Sequence, residues 1–189
     1  MTTGISATTT IRAQLTHMGI NVYDIDAMEA FYTGVLGLMV TDRGVGTTFK
    51  AQLVFMSVSP YSHHQVVLAS GRDPESRSST INQISFKLND LEQLRAMYGR
   101  VRDYGVAGLR PLNHGNAWSV YFLDPEGNNI ELYCDTPWYV SQPHGDMFDP
   151  EAPTEQILAE TEAICRQDPN FMPIEEWRER IRIQLEGRG

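Results

Sequence analysis

Shifted by 66 residues, this chain lies over itself. The run from His17 to Tyr32 aligns without a gap on the run from Gln83 to Tyr98. Asp24/Asp90, Ala30/Ala96 and Tyr32/Tyr98 are identical. Met18/Ile84, Ile20/Phe86, Val22/Leu88, Ile25/Leu91, Met28/Leu94 and Phe31/Met97 are apolar in both copies. A duplication of this kind dictates a pseudo-symmetric fold. The same offset sets Gln65 against Glu131, so His17, Gln65, Gln83 and Glu131 form a quartet of repeat-related polar positions. His and Glu commonly hold metals or protons, and Gln is a less common oxygen ligand.

Local patterning gives each copy the same architecture. Met18, Ile20 and Val22 alternate with His17, Gly19 and Asn21; Ile84, Phe86 and Leu88 alternate with Gln83, Ser85 and Lys87. Both read as half-buried strands of period two. Each is followed by an acidic start, Asp24 and Asp26 or Asp90 and Glu92, suited to the N-terminus of a helix. Apolar residues at helical spacing come next. Gly34 and Gly37 end the first helical region and Gly105 follows the second. Strand-like runs over Ala51–Val58 and Gln65–Leu68 have counterparts in Trp118–Leu123 and Asn129–Cys134, the latter two joined by the turn sequence Asp124-Pro-Glu-Gly-Asn128. The expected fold is α+β: two tandem βαβββ modules, residues 14–70 and 80–135, forming a cupped mixed sheet. Residues 71–79 read as the linker.

The flanks differ from the repeats. Residues 1–13 are rich in Thr and Ser, without a basic start or apolar stretch, and predict a flexible arm rather than a secretory leader. Residues 136–189 predict a helical extension. One helix begins with Thr154 as N-cap and has Ile157, Leu158, Thr161 and Ile164 on one face. Another begins at Pro173, with Ile174, Trp177, Ile181 and Leu185 facing inward.

Composition narrows the class of partner. A formal charge of −9 argues against nucleic acid and anionic membrane surfaces. Cys134 and Cys165 lie far apart and in no metal-binding spacing, which favours a reducing cytoplasm over a disulfide framework. No apolar run is long enough to span a membrane.

Parity then sorts the polar residues. In each opening strand the apolar residues are the even ones, so His17 and Gln83 fall on the opposite face. Glu131 opposes Ile130 and Leu132, and Gln65 opposes Val66. A histidine on a strand is by itself commonly a hydrogen-bonded structural residue. The coincidence of repeat-equivalent positions on one polar face is what points to a divalent metal.

The duplication, together with the segment His114-Gly-Asn-Ala-Trp-Ser-Val-Tyr-Phe-Leu-Asp-Pro-Glu-Gly-Asn-Asn-Ile-Glu131, resembles the vicinal oxygen chelate superfamily over residues 14–135, and most resembles its single-domain extradiol dioxygenases. That resemblance implies a metal-dependent oxygenase of small catechol-like aromatics, with Fe(II) or Mn(II) favoured. It implies His17 and Glu131 as metal ligands, Tyr121 as a substrate-contacting residue, and His114 as a proton-transfer residue. The chain departs from the pattern at Gln83, where the second imidazole is expected. Gln83 stands as a weak third ligand, with Gln65 and His63 as further candidates; His64 is expected to face the other way.

The resemblance implies an alternative as well, a glyoxalase- or epimerase-like lyase or isomerase with Glu131 as base near Zn, Ni or Co, since glutamine is a ligand in those branches. Weak ligands at two of the four positions support a third reading, a metal-free small-molecule binding protein. The resemblance also implies a homodimer. Trp118 and Trp138 read as core or pocket wall, Trp138 with Tyr139 as a roof over the cup, and His144 has no assigned partner.

Overall fold

The computed structural model describes residues 12–47, 50–73, 75–76 and 79–187. The expected N-terminal arm therefore lies almost wholly outside the described residues. The first module comprises β1 (Met18–Val22), α1 (Ile25–Gly34), β2 (Met39–Val45), β3 (Gln52–Ser57) and β4 (Val66–Ser70). The second comprises β5 (Ile84–Lys87), α2 (Leu91–Tyr104), β6 (Ala107–Asn113), β7 (Ala117–Leu123) and β8 (Asn129–Asp135). Each module makes a four-stranded mixed sheet, ordered β1-β4-β3-β2 and β5-β8-β7-β6. The opening strand of each is parallel to the closing one, and the other pairs are antiparallel. The βαβββ duplication is thus present, built as two sheets.

The helices start where the side chains dictate. Asp24 accepts from the Ala27 amide and Asp90 from the Gln93 amide, each satisfying an orphan donor of the first turn. Gly105, at φ 84°, closes α2 in the left-handed conformation that glycine adopts without strain. Strands β2 and β6 carry no clean alternation in the sequence. They are edge strands, and each contains a one-residue register shift, between Val40 and Asp42 and between Ala107 and Arg110.

One core serves both modules. Met28, Phe31 and Tyr32 of α1 are buried with Val54, Met56 and Leu68 of the first sheet and Val120, Phe122 and Ile130 of the second. Phe31 meets the edge of Phe122, and the Tyr32 hydroxyl donates to Asp124 Oδ2 at 3.2 Å. Burial, reinforced by the Asp124 charge, pushes the Tyr32 phenol well up, so it remains a donor. Beside it, the Glu126 carboxylate accepts from the Tyr23 and Asp24 amides at 2.8 and 3.0 Å and from Arg72 at 3.1 Å. Its side chain is 1% exposed. The turn that closes the second module therefore clamps the strand–helix junction of the first.

The extension packs on the second module. It holds β9 (Trp138–Tyr139), α3 (Thr154–Cys165), β10 (Met172–Pro173) and α4 (Ile174–Glu186). Thr161 accepts from both Trp118 Nε1 and Asn113 Nδ2, which fixes α3. Two expectations are corrected. Thr154 is not the N-cap: Pro153 holds that place, and the Thr154 hydroxyl is taken by Arg95. No residue of α4 is fully buried; Trp177 stacks on Tyr139, and Leu185 is exposed. A helix rich in i,i+3 and i,i+4 Glu–Arg pairs can keep its shape on a wet surface.

The clamp has a measurable weight. Glu126→Ala leaves Arg72 and two amides without their partner and is expected to lower the unfolding free energy by about 3 kcal/mol in urea denaturation. Glu126→Gln is expected to cost less. An alanine variant as stable as the parent would show that the turn does not hold the modules together.

Candidate active site

Four strands of the second sheet carry one straight row of side chains. Arg110 on β6 lies opposite Tyr121 on β7, Tyr121 opposite Glu131 on β8, and Glu131 opposite Ser85 on β5. Residues directly opposite one another share a sheet face. Glu131 sits at the centre, buried, and both its oxygens are taken. Oε1 accepts from Tyr121 at 2.5 Å and Ser119 at 2.8 Å; Oε2 accepts from Ser85 at 2.5 Å and Gln83 at 2.7 Å. Four donors on one buried carboxylate offset its desolvation.

His114 extends this network. Its Nδ1 lies 2.7 Å from the His144 carbonyl oxygen, which only accepts, so that nitrogen carries a proton. Its Nε2 lies 2.9 Å from the Tyr121 hydroxyl. A phenol has one proton, yet Tyr121 faces both an imidazole nitrogen and a carboxylate. The Tyr121 hydroxyl donates to Glu131 Oε1, so its oxygen faces His114 Nε2 and the phenol links the imidazole to the carboxylate. Burial, then the Glu131 hydrogen bond and charge, pushes the Tyr121 phenol up and keeps it protonated.

This network opens into a cleft of about 460 Å³ lined by Gln83, Ser85, His114, Tyr121, Glu131 and Gln142, among others. The loop after β9 forms one wall: Gln142 donates to the His114 carbonyl oxygen, and the His144 carbonyl receives the His114 ring. Trp138 and Tyr139, expected to roof the cup, line neither this cleft nor its neighbour. They pair with β10 instead.

The first module presents a different set. His17, Gln65 and Ser85 are among the residues lining a second cavity of about 400 Å³, so the two cavities meet at Ser85. The His17 ring stands 4.4 Å from that of His64, which in turn contacts Phe55 and His63. His64, expected to turn away, is thus the imidazole beside His17, while His63 is exposed next to Asp42. Burial, then the charges of His17 and His63, lowers the His64 pKa and favours the neutral ring. Gln65 turns its carbonyl back onto the Val58 amide and Ser57 hydroxyl.

Register revises the repeat. Gly19 stands where Ser85 stands, and Phe55 where Tyr121 stands. The residue paired between them is Val67 in the first sheet and Glu131 in the second. The connection from Met56 to Val66 is two residues longer than that from Phe122 to Ile130, so the offset on the last strand is 64. The structural counterpart of Glu131 is Val67, not Gln65. Glu131 and Gln83 are brought into contact, and His114 and Tyr121 join them. His17 lies in the adjoining cavity with Gln65. Among the described residues, no three His, Cys, Asp or Glu side chains converge as a metal-holding cluster.

Comparison with known proteins places this geometry in context. A family model described as the glyoxalase/bleomycin resistance protein/dioxygenase superfamily matches residues 14–132. The chain is 26% identical over 170 residues to biphenyl-2,3-diol 1,2-dioxygenase 3 of Rhodococcus globerulus, covering 87% of this chain and 80% of that protein. It is 30% identical over 130 residues to catechol-2,3-dioxygenase of Bacillus subtilis, covering 65% of this chain but 42% of that protein. Among solved structures, a fosfomycin resistance protein from Listeria monocytogenes, crystallised with Mn(II) and 1S,2S-dihydroxypropylphosphonic acid, superposes with a TM-score of 0.53 at 21% identity. That likeness covers 67% of this chain and 95% of that one, and it speaks to the fold alone.

The donors around Glu131 generate a stability prediction. Glu131→Gln keeps the shape but turns an amide NH2 toward groups that themselves donate. The expected loss is about 2 kcal/mol by urea denaturation, against a small effect for Ser119→Ala. An isoenergetic Gln variant would mean that the four donors do not converge on a carboxylate.

Proposed function

Because the chain belongs to the glyoxalase/bleomycin resistance protein/dioxygenase superfamily, we propose that it is a metal-dependent, ring-cleaving dioxygenase of the extradiol type, acting on a small catechol-like aromatic. The observation that carries this reading is the His114–Tyr121–Glu131 chain at the wall of a cleft, in a protein whose relatives include dioxygenases of biphenyl-2,3-diol and catechol.

The donor types suit a first-row divalent ion, with Fe(II) or Mn(II) favoured. His17 supplies imidazole, Glu131 a buried carboxylate, and Gln83 an amide oxygen, its nitrogen being committed to Glu131 and Ser85. Such an ion, when bound, supplies Lewis acidity toward a catechol and a site for dioxygen. The remaining work belongs to the chain. His114 Nε2, in hydrogen-bond reach of Tyr121, takes a proton from a substrate hydroxyl or returns one. Tyr121 orients that hydroxyl while keeping its own proton. Ser85 and Ser119 hold the Glu131 oxygens in place, the His144 carbonyl fixes the His114 ring, and Gln142 holds the His114 backbone carbonyl.

One observation favours a second reading. Both Glu131 oxygens are already satisfied by protein donors, which suits a metal-free small-molecule binding protein as well. The exposed apolar residues Leu15, Met39, Val45, Val58 and Tyr61 on the first module support the further expectation of a homodimer.

Metal analysis and oxygen consumption separate these readings. The protein purified from medium supplemented with Fe(II) is expected to hold stoichiometric metal and to consume oxygen with catechol or 3,4-dihydroxybenzoate, giving a ring-opened product. His17→Ala and Glu131→Ala are expected to lose the metal. His114→Ala is expected to keep the metal and lower the rate by about 100-fold or more. Metal-free protein whose thermal midpoint is insensitive to chelator, and which cleaves no catechol, would falsify the dioxygenase reading and favour the binding protein. Static light scattering is expected to give a dimer.

A further inference from the structure

Arg110 occupies the outer end of the Arg110–Tyr121–Glu131–Ser85 row, on the edge strand β6. It reaches that face because of the bulge. Ala107 pairs with Leu123 and Arg110 with Tyr121, so β6 holds one residue more than β7 over the same span. Without the extra residue Leu109 would stand opposite Tyr121; instead Leu109 packs against the hydrophobic core. Bulges beside functional sites commonly re-aim a side chain in this way. The Arg110 guanidinium carbon lies 5.1 Å from the centroid of the Tyr121 ring.

A second observation is independent of position. Among the described arginines, Arg110 alone has neither an ion pair nor a hydrogen bond. In its own module Arg95 binds Glu92, Thr154 and the Ala152 carbonyl, Arg100 the Val35 carbonyl, and Arg102 Asp103 and Glu151. Elsewhere Arg43, Arg72, Arg166, Arg178, Arg180 and Arg182 are each paired with a carboxylate. The chain carries 24 acidic against 15 basic residues, so potential partners are plentiful. The contact with Tyr121 is made through the ring face and leaves the N–H donors of the guanidinium free. A permanently charged, planar fork of donors matches the two oxygens of a carboxylate.

We propose that Arg110 is a specificity-determining residue that anchors a carboxylate borne by the substrate, so that the aromatic taken by this cleft is an anionic catechol rather than a neutral one. This rests on reading the Tyr121–Glu131 cleft as the substrate site. The anion would sit against the N–H edge of the Arg110 guanidinium, with the diol directed toward the Tyr121 hydroxyl and His114. In a protein of net charge −9, such an anchor also offsets the repulsion that an anionic ligand meets on approach.

Equilibrium binding tests this without turnover. Titration calorimetry under nitrogen compares 3,4-dihydroxybenzoate with its methyl ester, on the parent, Arg110→Met and Arg110→Lys, with far-UV circular dichroism confirming the fold of each. The parent is expected to prefer the acid by about tenfold or more. Arg110→Met is expected to bring the acid-to-ester ratio near one, and Arg110→Lys to retain part of it, since an ammonium keeps the charge without the fork. Equal affinity of the parent for acid and ester, or a ratio unchanged in Arg110→Met, overturns the proposal. A ratio that collapses in Arg110→Met, in protein that cleaves neither 3,4-dihydroxybenzoate nor catechol under oxygen, upholds the anion anchor and removes the dioxygenase reading. Ring cleavage without any acid preference does the reverse.

Discussion

The position of everything else follows from one buried carboxylate, that of Glu126. A turn of five residues closes the second module. Through Glu126 and Asp124 it grips the first module's strand–helix junction, Arg72 and Tyr32. Two backbone amides that would otherwise need water are satisfied from the other half of the molecule. Because this grip fixes α1 against both sheets, Phe31 and Tyr32 can belong to a shared core. The two cavities then meet at Ser85 rather than lying on unrelated surfaces. A hydrophobic interface alone would tolerate sliding; directional bonds to a buried acid set one relative placement.

Much of this was legible in the sequence, for identifiable reasons. The opening strands and helices announce themselves because one face of each is buried, which imprints period two or 3.6 on the apolar residues. Ser85 and Ser119 share parity with Gln83 and Tyr121, so their presence on the polar face was readable. Their role as donors to Glu131 was not, since that depends on cross-strand register. The edge strands β2 and β6 leave little trace in the sequence because β2 is exposed along nearly its whole length and a bulge in each breaks the alternation. For the same reason Arg110 could not be assigned a face.

Gln65 shows the opposite limit. A constant offset along the chain made it the mate of Glu131, but a connection longer by two residues moves the pairing to Val67. Chain offset and spatial symmetry agree only while no insertion intervenes. The wall supplied by Gln142 and His144 was illegible for another reason: a loop folded over its neighbours leaves no periodic trace. The outcome is an unequal pair of halves. One sheet holds a carboxylate with four donors and a phenol–imidazole chain, and the other holds imidazoles against Phe55, with Val67 in the carboxylate's place.

The bulge in β6 has a consequence for how this site can change. Side chains on a strand alternate like a two-state clock, and one added or lost residue inverts the phase of all that follows until the next turn resets it. At this edge, removal of a single residue would exchange Leu109 for Arg110 in front of Tyr121 without altering any amino acid that remains. Whether a cationic or an aliphatic side chain faces Tyr121 is therefore stored in the length of the strand as much as in its composition. Edge strands accept such changes in length more readily than central ones, since only one neighbour must stay in register.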